Sequence, residues 1–155
     1  MTQDNKFLTF KLREESYAIP ILRIKEIIGM MPITKVPRLP QFIKGVINLR
    51  GQIIPVIDLR TKFGIEERPY DERTSIIVME IQSENTTKTN GIVVDTVQEV
   101  LDIMADSIEP PPKYGADVNQ EFLTGMGKID EKVIMILNVN KILSANETAQ
   151  LEDVG

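Results

Sequence analysis

The chain contains neither cysteine nor histidine. The first absence excludes disulfides and thiolate chemistry. The second removes the commonest general base and the commonest zinc ligand together. A nucleophile and its base would have to be built from a Ser–Lys pair, a carboxylate or a lone lysine. Carboxylates are scattered over loops, as at Glu66, Glu67, Asp71 and Glu72, where a solvated surface is the default reading. No Walker-type phosphate loop, dinucleotide fingerprint or calcium-loop spacing is present. The expectation is therefore a protein that is not an enzyme, with no metal and no cofactor. Tryptophan is absent and aromatics are few. No run approaches the ~18 consecutive apolar residues of a membrane span. The N-terminal Met-Thr-Gln-Asp-Asn-Lys lacks an apolar signal core, so the expected location is the cytoplasm, without direct membrane insertion. Positive charge is in deficit: 18 Lys and Arg against 23 Asp and Glu give a net charge of −5. That disfavours nucleic acid, whose phosphates need clustered basic residues. A small-barrel nucleic-acid module is the alternative, and it requires Arg38, Lys44, Arg50, Arg60 and Lys62 to gather into one patch.

What the chain does have is isoleucine and valine, in short runs broken by turn residues. With 155 residues it reads as one domain, or as two small lobes sharing a core, divided near residues 64–73. The central stretch is 40–60, where two β-branched runs flank Arg50-Gly51. They read as two strands and a tight turn. Neither run alternates cleanly, which predicts cover on both faces. Pro55 inside the second run predicts an edge or a bulge. Asp58 can cap a short helix, Leu59 to Phe63, ended by Gly64. A guanidinium at Arg50, beside buried strands, must reach water, a carboxylate or a partner.

Around that stretch, Phe7 to Leu12 and Tyr17 to Ile19 form a first hairpin. Residues 20–28 fit both a helical stripe and a strand; one helical turn at 20–23, then a strand from about 24 to 30, is favoured. Pro32, Pro37 and Pro40 mark an extended connector. A strand runs from Thr74 to about Gln82. The polar segment Ser83 to Asn90 reads as a loop, and Gly91 to Val97 as the return strand. Pro110, Pro111 and Pro112 form a stop. A last hairpin turns at Asp130-Glu131-Lys132, and Asn138 can cap a helix through Ile142 and Leu143. Residues 145–155 read as a polar tail or frayed helix. Nine or ten short strands are expected in all, a pattern suited to a sandwich or small barrels. The methionines at 30, 31, 79, 104, 126 and 135 fill the core by default, although methionine also suits adaptable interfaces.

The segment Phe42-Ile-Lys-Gly-Val-Ile-Asn-Leu-Arg-Gly-Gln-Ile-Ile-Pro-Val-Ile-Asp-Leu-Arg resembles the signature of CheW-type chemotaxis coupling proteins. Tyr17 to Gly29, Gly91-Ile-Val-Val-Asp-Thr-Val, and Phe122-Leu-Thr-Gly-Met-Gly with Val133-Ile-Met-Ile-Leu-Asn-Val resemble three further family segments, in the family's order. The resemblance covers about residues 6–144. It implies a mainly β fold of two small SH3-like β-barrel subdomains sharing a hydrophobic core, with short helices. It implies a non-enzymatic scaffold that couples the cytoplasmic hairpin tips of chemoreceptors (methyl-accepting chemotaxis proteins) to the CheW-like regulatory domain of the histidine kinase CheA, at membrane-associated receptor arrays. Kinase contact is implied for Ile24, Phe42, Ile43, Lys44 and Gly45. Receptor binding or coupling is implied for Glu26, Ile28, Arg50, Thr74, Ser75, Val97 and Val100. Ser75 departs from the apolar residue usual at its position. The expected device is an ion pair between Arg50 and Glu26, partly exposed in a groove between the lobes.

Overall fold

The β-branched runs become strands in the computed structural model, which describes residues 5–66, 68–83, 85–110 and 122–142. In chain order the strands are β1 (Lys6–Leu12), β2 (Glu15–Pro20), β3 (Ile24–Gly29), β4 (Ile43–Leu49), β5 (Gln52–Asp58), β6 (Ser75–Ser83), β7 (Thr86–Val94), β8 (Thr96–Asp102), β9 (Ile108–Glu109), β10 (Leu123–Ile129) and β11 (Lys132–Leu137). Two short helices, α1 (Leu59–Lys62) and α2 (Val139–Ile142), follow β5 and β11. The ambiguous segment resolves into a single 3-10 turn, Ile21–Arg23, leading straight into β3. Pro20 fixes the backbone at the start of that turn. Asp58 caps α1 through the Arg60 N–H, and the Asn138 side chain accepts from the Lys141 N–H beneath α2.

Six strands form one sheet in the order β8-β1-β2-β11-β10-β9, and five form the other in the order β3-β6-β7-β5-β4. Neighbours are antiparallel except for β2–β11 and β5–β7. The expected division near residues 64–73 is corrected by this order. Residues 64–73 lie inside the second sheet's span of chain, because β5 and β7 on either side of them pair directly. The chain instead leaves the first sheet after β2, completes the second, and returns at Asp95.

Three further expectations change. Eleven strands are described rather than nine or ten. The polar segment 83–90 is largely strand, since Thr86 to Asn90 pair residue by residue with Ser83 back to Met79. Threonine suits an exposed ladder even where nothing apolar is buried. Pro55 marks no edge, because β5 lies between β7 and β4. Val46, opposite Pro55, spends both its backbone hydrogen bonds on Thr34. The Val46–Pro55 pair is therefore non-hydrogen-bonded, and the missing N–H faces β7, whose ladder with β5 begins only at Val56. A bulge does occur nearby, in β4 between Ile43 and Gly45. Pro111, Pro112, Leu143 and the tail lie outside the described residues.

The lack of clean alternation at 40–60 has a packing cause on β5, where Ile54 and Val56 enter one core cluster and Ile57 another. Ile53, however, is 61% exposed and corrects the expectation of cover on both faces there. Along β6, Ile76 and Val78 enter one core cluster while Ile77, Met79 and Ile81 enter another; on β7, Val93 takes the first and Ile92 and Val94 the second. The first cluster, with Ile47, Ile54 and Val56, is internal to the five-stranded sheet. The second is shared: Leu8, Phe10, Leu12, Tyr17 and Ile19 of the first sheet meet Ile57, Ile77 and Ile92 of the second. Burying residues such as Ile77 and Ile92 contributes about 2 kcal/mol each. A third cluster, with Phe7, Ala18, Ile103, Ile134 and Ile136, belongs to the six-stranded sheet. Phe63, just after α1, stacks between Tyr17 and Phe122 at centroid distances of 5.9 and 5.5 Å, so α1 is anchored to the first sheet's aromatics. Met79 is fully buried, Met30, Met31 and Met135 pack at core margins, and Met104 is exposed.

The five-stranded sheet also closes on itself. The chain leaving β3 at one edge comes beside β4 at the other, where Thr34 and Val46 exchange two backbone hydrogen bonds of 2.8 and 2.9 Å. Gly45 makes that approach possible. It is buried with φ of 142°, and a Cβ there would run into the Thr34 carbonyl. Gly45→Ala is expected to destabilise the fold by about 3 kcal/mol, since both the backbone conformation and the closure must give. Urea unfolding of the variant measures this; a loss below about 1 kcal/mol would mean that the connector moves aside freely.

Candidate functional site

The turn between β4 and β5 is two residues long, because Leu49 pairs with Gln52. Such a loop follows the twist of its strands when both central residues have positive φ. Arg50 has φ of 51° and Gly51 of 88°. The Asn48 side chain accepts the Gly51 N–H at 2.9 Å and tightens the turn. Glycine or asparagine suits the first position; an arginine there is unusual. The strain places a guanidinium at the outermost point of the hairpin.

From that tip Arg50 reaches across to Glu26 on the opposite edge strand, β3, and donates a hydrogen bond from its Nη2. Its side chain stays 68% exposed, while that of Glu26 is 30% exposed. The expected ion pair is thus present, but it joins two edges of the one five-stranded sheet rather than facing elements of the two lobes. An ion pair this open is worth about 0–1 kcal/mol, so it orients the groups more than it stabilises the fold.

The other expected residues divide by burial. Ile28 packs on the internal core of the five-stranded sheet, two residues from Glu26 on β3. Ser75 pairs with Gly29 on one side and Val94 on the other, and its hydroxyl donates to the Arg73 carbonyl. Glu26 and Ile28 pair with Val78 and Ile76 further along the same strand β6, and Ser75 at its start leads to Val94, two residues before β8. There Val97 is half-buried against the shared core and Val100 is exposed. Thr74 is buried and closes a turn with Asp71: its N–H and hydroxyl donate to the Asp71 carboxylate, and its hydroxyl accepts the Asp71 N–H. The Arg73 N–H, aided by these Thr74 groups and the charge of Arg68, holds the Asp71 carboxyl below the usual range. Thr74 thus presents no free surface.

Ile24 and Phe42 are half-buried on the shared core, and Ile43 is buried in it. Lys62 sits over the Phe42 ring, 4.0 Å from its centroid, and also faces Phe122 at 5.4 Å. Lys44 is half-buried between the buried Ile43 and Gly45, so the outward chemistry of this segment comes from Phe42 and Lys44.

Sequence reasoning missed a second cluster. The nucleic-acid alternative requires Arg60 in a surface patch, but Arg60 is 1% exposed. Its Nε and Nη2 donate to Asp58 at 3.3 and 3.2 Å. Its Nη1 lies 3.2 Å from Asp95 Oδ1, off the hydrogen-bonding direction, which makes that contact an ion pair alone. Asp95 Oδ2 accepts the Arg13 N–H at 2.6 Å and pairs with the half-exposed Arg68 at 3.4 Å. Tyr70 donates to Asp58 at 3.0 Å and lies beneath the Arg60 guanidinium. Burial works against the Arg60 charge, but the Asp58 hydrogen bond and the charges of Asp58 and Asp95 outweigh it and raise the pKa. With Arg60 removed, the basic patch required by the nucleic-acid reading loses a member.

Residues 6–147 match the family model described as the CheW-like domain. The chain belongs to the CheW family. It is 40% identical over 153 residues to a chemotaxis protein CheW of Klebsiella aerogenes, covering 99% of this chain and 90% of that one. It is 35% identical over 138 residues to a CheW of Helicobacter pylori, covering 89% and 81%. The solved structure of a scaffolding protein, the CheW of Thermoanaerobacter tengcongensis, superposes with a TM-score of 0.82 at 39% identity, covering 95% of this chain and 92% of that one. CheW membership makes this chain a chemotaxis scaffold by family, and the mainly β, two-sheet architecture agrees with the solved relative. No helix among the described residues is long and apolar enough to cross a membrane.

Proposed function

We propose that this chain is a non-enzymatic coupling protein that joins chemoreceptor cytoplasmic tips to the histidine kinase CheA, in the cytoplasm and at membrane-associated receptor arrays. Residues 6–144 serve as the coupling domain. The carrying observation is Arg50: strained in a turn, mostly exposed, and held by Glu26 at a position where a turn-forming residue would be easier. A cost in local conformation without a gain in packing points to a group kept for a partner. Glu26, Ile28, Arg50, Ser75, Val97 and Val100 form the receptor-facing set, with Thr74 bracing the strand beneath Ser75. Phe42 and Lys44 face the kinase regulatory domain, supported by Ile24, Ile43 and Gly45. No cofactor enters this role. Titrating the chain against the kinase and against a receptor hairpin fragment tests the reading. Both are expected to bind, and Val100→Glu is expected to weaken only the receptor. Absence of binding to both would sink it.

A further inference from the structure

Charge is segregated along this acidic chain. Between Glu26 and Asp58 there is no carboxylate, while Lys35, Arg38, Lys44 and Arg50 lie in that interval. From Asp95 to Pro110 the reverse holds: Asp95, Glu99, Asp102, Asp106 and Glu109 appear with no lysine or arginine. The basic interval belongs to the five-stranded sheet and its connector, the acidic one to the crossing residue Asp95 and the far edges of the six-stranded sheet.

The fold brings part of the basic interval together. The Thr34–Val46 bridge sets the proline-rich connector beside β4. Lys35, the residue after Thr34, and Lys44, two before Val46, therefore lie on adjoining chain segments. Lys35 and Arg38 are exposed. Arg38 repeats the strain seen at Arg50: it follows Pro37 in a turn and has φ of 64°. That position favours glycine or asparagine. A long cation fixed there, away from the core, gains nothing for the turn.

We propose that Lys35 and Arg38, continuous with Lys44, form an electrostatic docking face for an acidic surface on the kinase. The inference rests on the coupling reading above and adds the chemistry of the partner. Complementary charge at a rim acts mainly on the association rate and on orientation. It is screened within about 10 Å at moderate salt.

The test follows association of the full chain with the kinase by stopped flow at low and high salt, beside equilibrium binding to the receptor hairpin. Wild type is expected to associate about tenfold faster at low salt than at high salt. The double variant Lys35→Glu/Arg38→Glu is expected to lose that advantage and its salt dependence while binding the receptor hairpin as wild type does. Arg38→Asn guards against misfolding. It is expected to unfold at or above the wild-type denaturant midpoint and still to associate more slowly, with Arg38→Lys restoring the rate. Wild-type rates and salt dependence in the charge-reversed variant would overturn the inference alone. Failure of wild type to bind either partner would overturn the coupling reading and this inference with it. Salt-sensitive binding of RNA, or self-association, abolished by the same variant while kinase association stays intact, would reassign the face and overturn it too.

Discussion

Arg50→Asn is expected to abolish receptor control of the kinase while leaving the fold as stable as before. The loop would read Asn-Gly, the pair that suits a two-residue turn with positive φ at both positions. Relief of the strained arginine should stabilise by about 0.5–1 kcal/mol. Loss of the open pair with Glu26 removes about 0–1 kcal/mol. The two nearly cancel, so the urea midpoint should hardly move. Binding should not be spared: truncating a well-placed arginine at an interface typically costs about 2 kcal/mol, roughly thirtyfold in affinity. Kinase activity in a mixture of chain, kinase and receptor measures the functional loss. An Arg50→Asn variant that unfolds readily would make Arg50 structural, and one that couples normally would remove it from the site.

Glu26 decides how Arg50 acts. If the guanidinium serves to aim Glu26, then Glu26→Gln should impair coupling as much as Arg50→Asn, and the double variant should be no worse than either single one. If Arg50 touches the partner itself and Glu26 only holds it, Glu26→Gln should cost less than Arg50→Asn and add nothing to it, whereas losses that add would mean that each touches the partner independently. The 68% and 30% exposures of the two side chains favour the second outcome, because the guanidinium projects further from the fold than the carboxylate it holds.

Local features were legible because their causes are local. The mixed runs at 40–60 predicted strands covered on both faces, and this holds in part: Ile54 and Val56 enter one core and Ile57 another, while Ile53 near the turn is 61% exposed. Asp58 and Asn138 predicted caps, since a short polar side chain before an apolar run serves the first free N–H groups wherever the helix lies. What failed depended on partners distant in sequence. The parallel β5–β7 pairing, which defeats a division at 64–73, brings together segments with no shared local signal. The Thr86–Asn90 ladder lacks the apolar alternation by which strands are recognised, because it is held by its backbone. The burial of Arg60 has no signal in the residue itself, since charged residues are usually on the surface. Its second carboxylate partner, Asp95, lies 35 positions later in the chain. One signal was available in the sequence: Asp58 and Arg60 flank Leu59 at a strand-to-helix junction, where the second residue after a cap folds back over it.

That buried charge carries the largest stability effect expected here. Arg60→Met keeps most of the side-chain volume but strands two buried carboxylates, Asp58 and Asp95. Breaking a buried pair from one side costs about 3–5 kcal/mol. In a chain of this size that corresponds to a fall in Tm of roughly 10 °C. Asp95→Ala should cost as much by the opposite route, since it takes one counter-charge from the buried Arg60 and leaves the Arg13 N–H without its acceptor. Arg68→Ala should cost at most about 1 kcal/mol, because its arm of the cluster is half-exposed and screened. The contrast separates a buried cluster from a surface network, in which all three losses would be small and would shrink further in salt. Asp95 is also where the chain passes from β7 in one sheet to β8 in the other, and it ties that crossing to the β1–β2 turn and to α1. A milder change, Asp95→Asn, keeps the acceptor for the Arg13 N–H and removes only charge. It should therefore lie between the two extremes. Calorimetric unfolding of the four variants gives the order: Arg60→Met and Asp95→Ala lowest, Asp95→Asn above them, Arg68→Ala nearest wild type. If Arg60→Met instead matches wild type, the desolvation of these charges equals their attraction, and the cluster specifies the crossing without stabilising it.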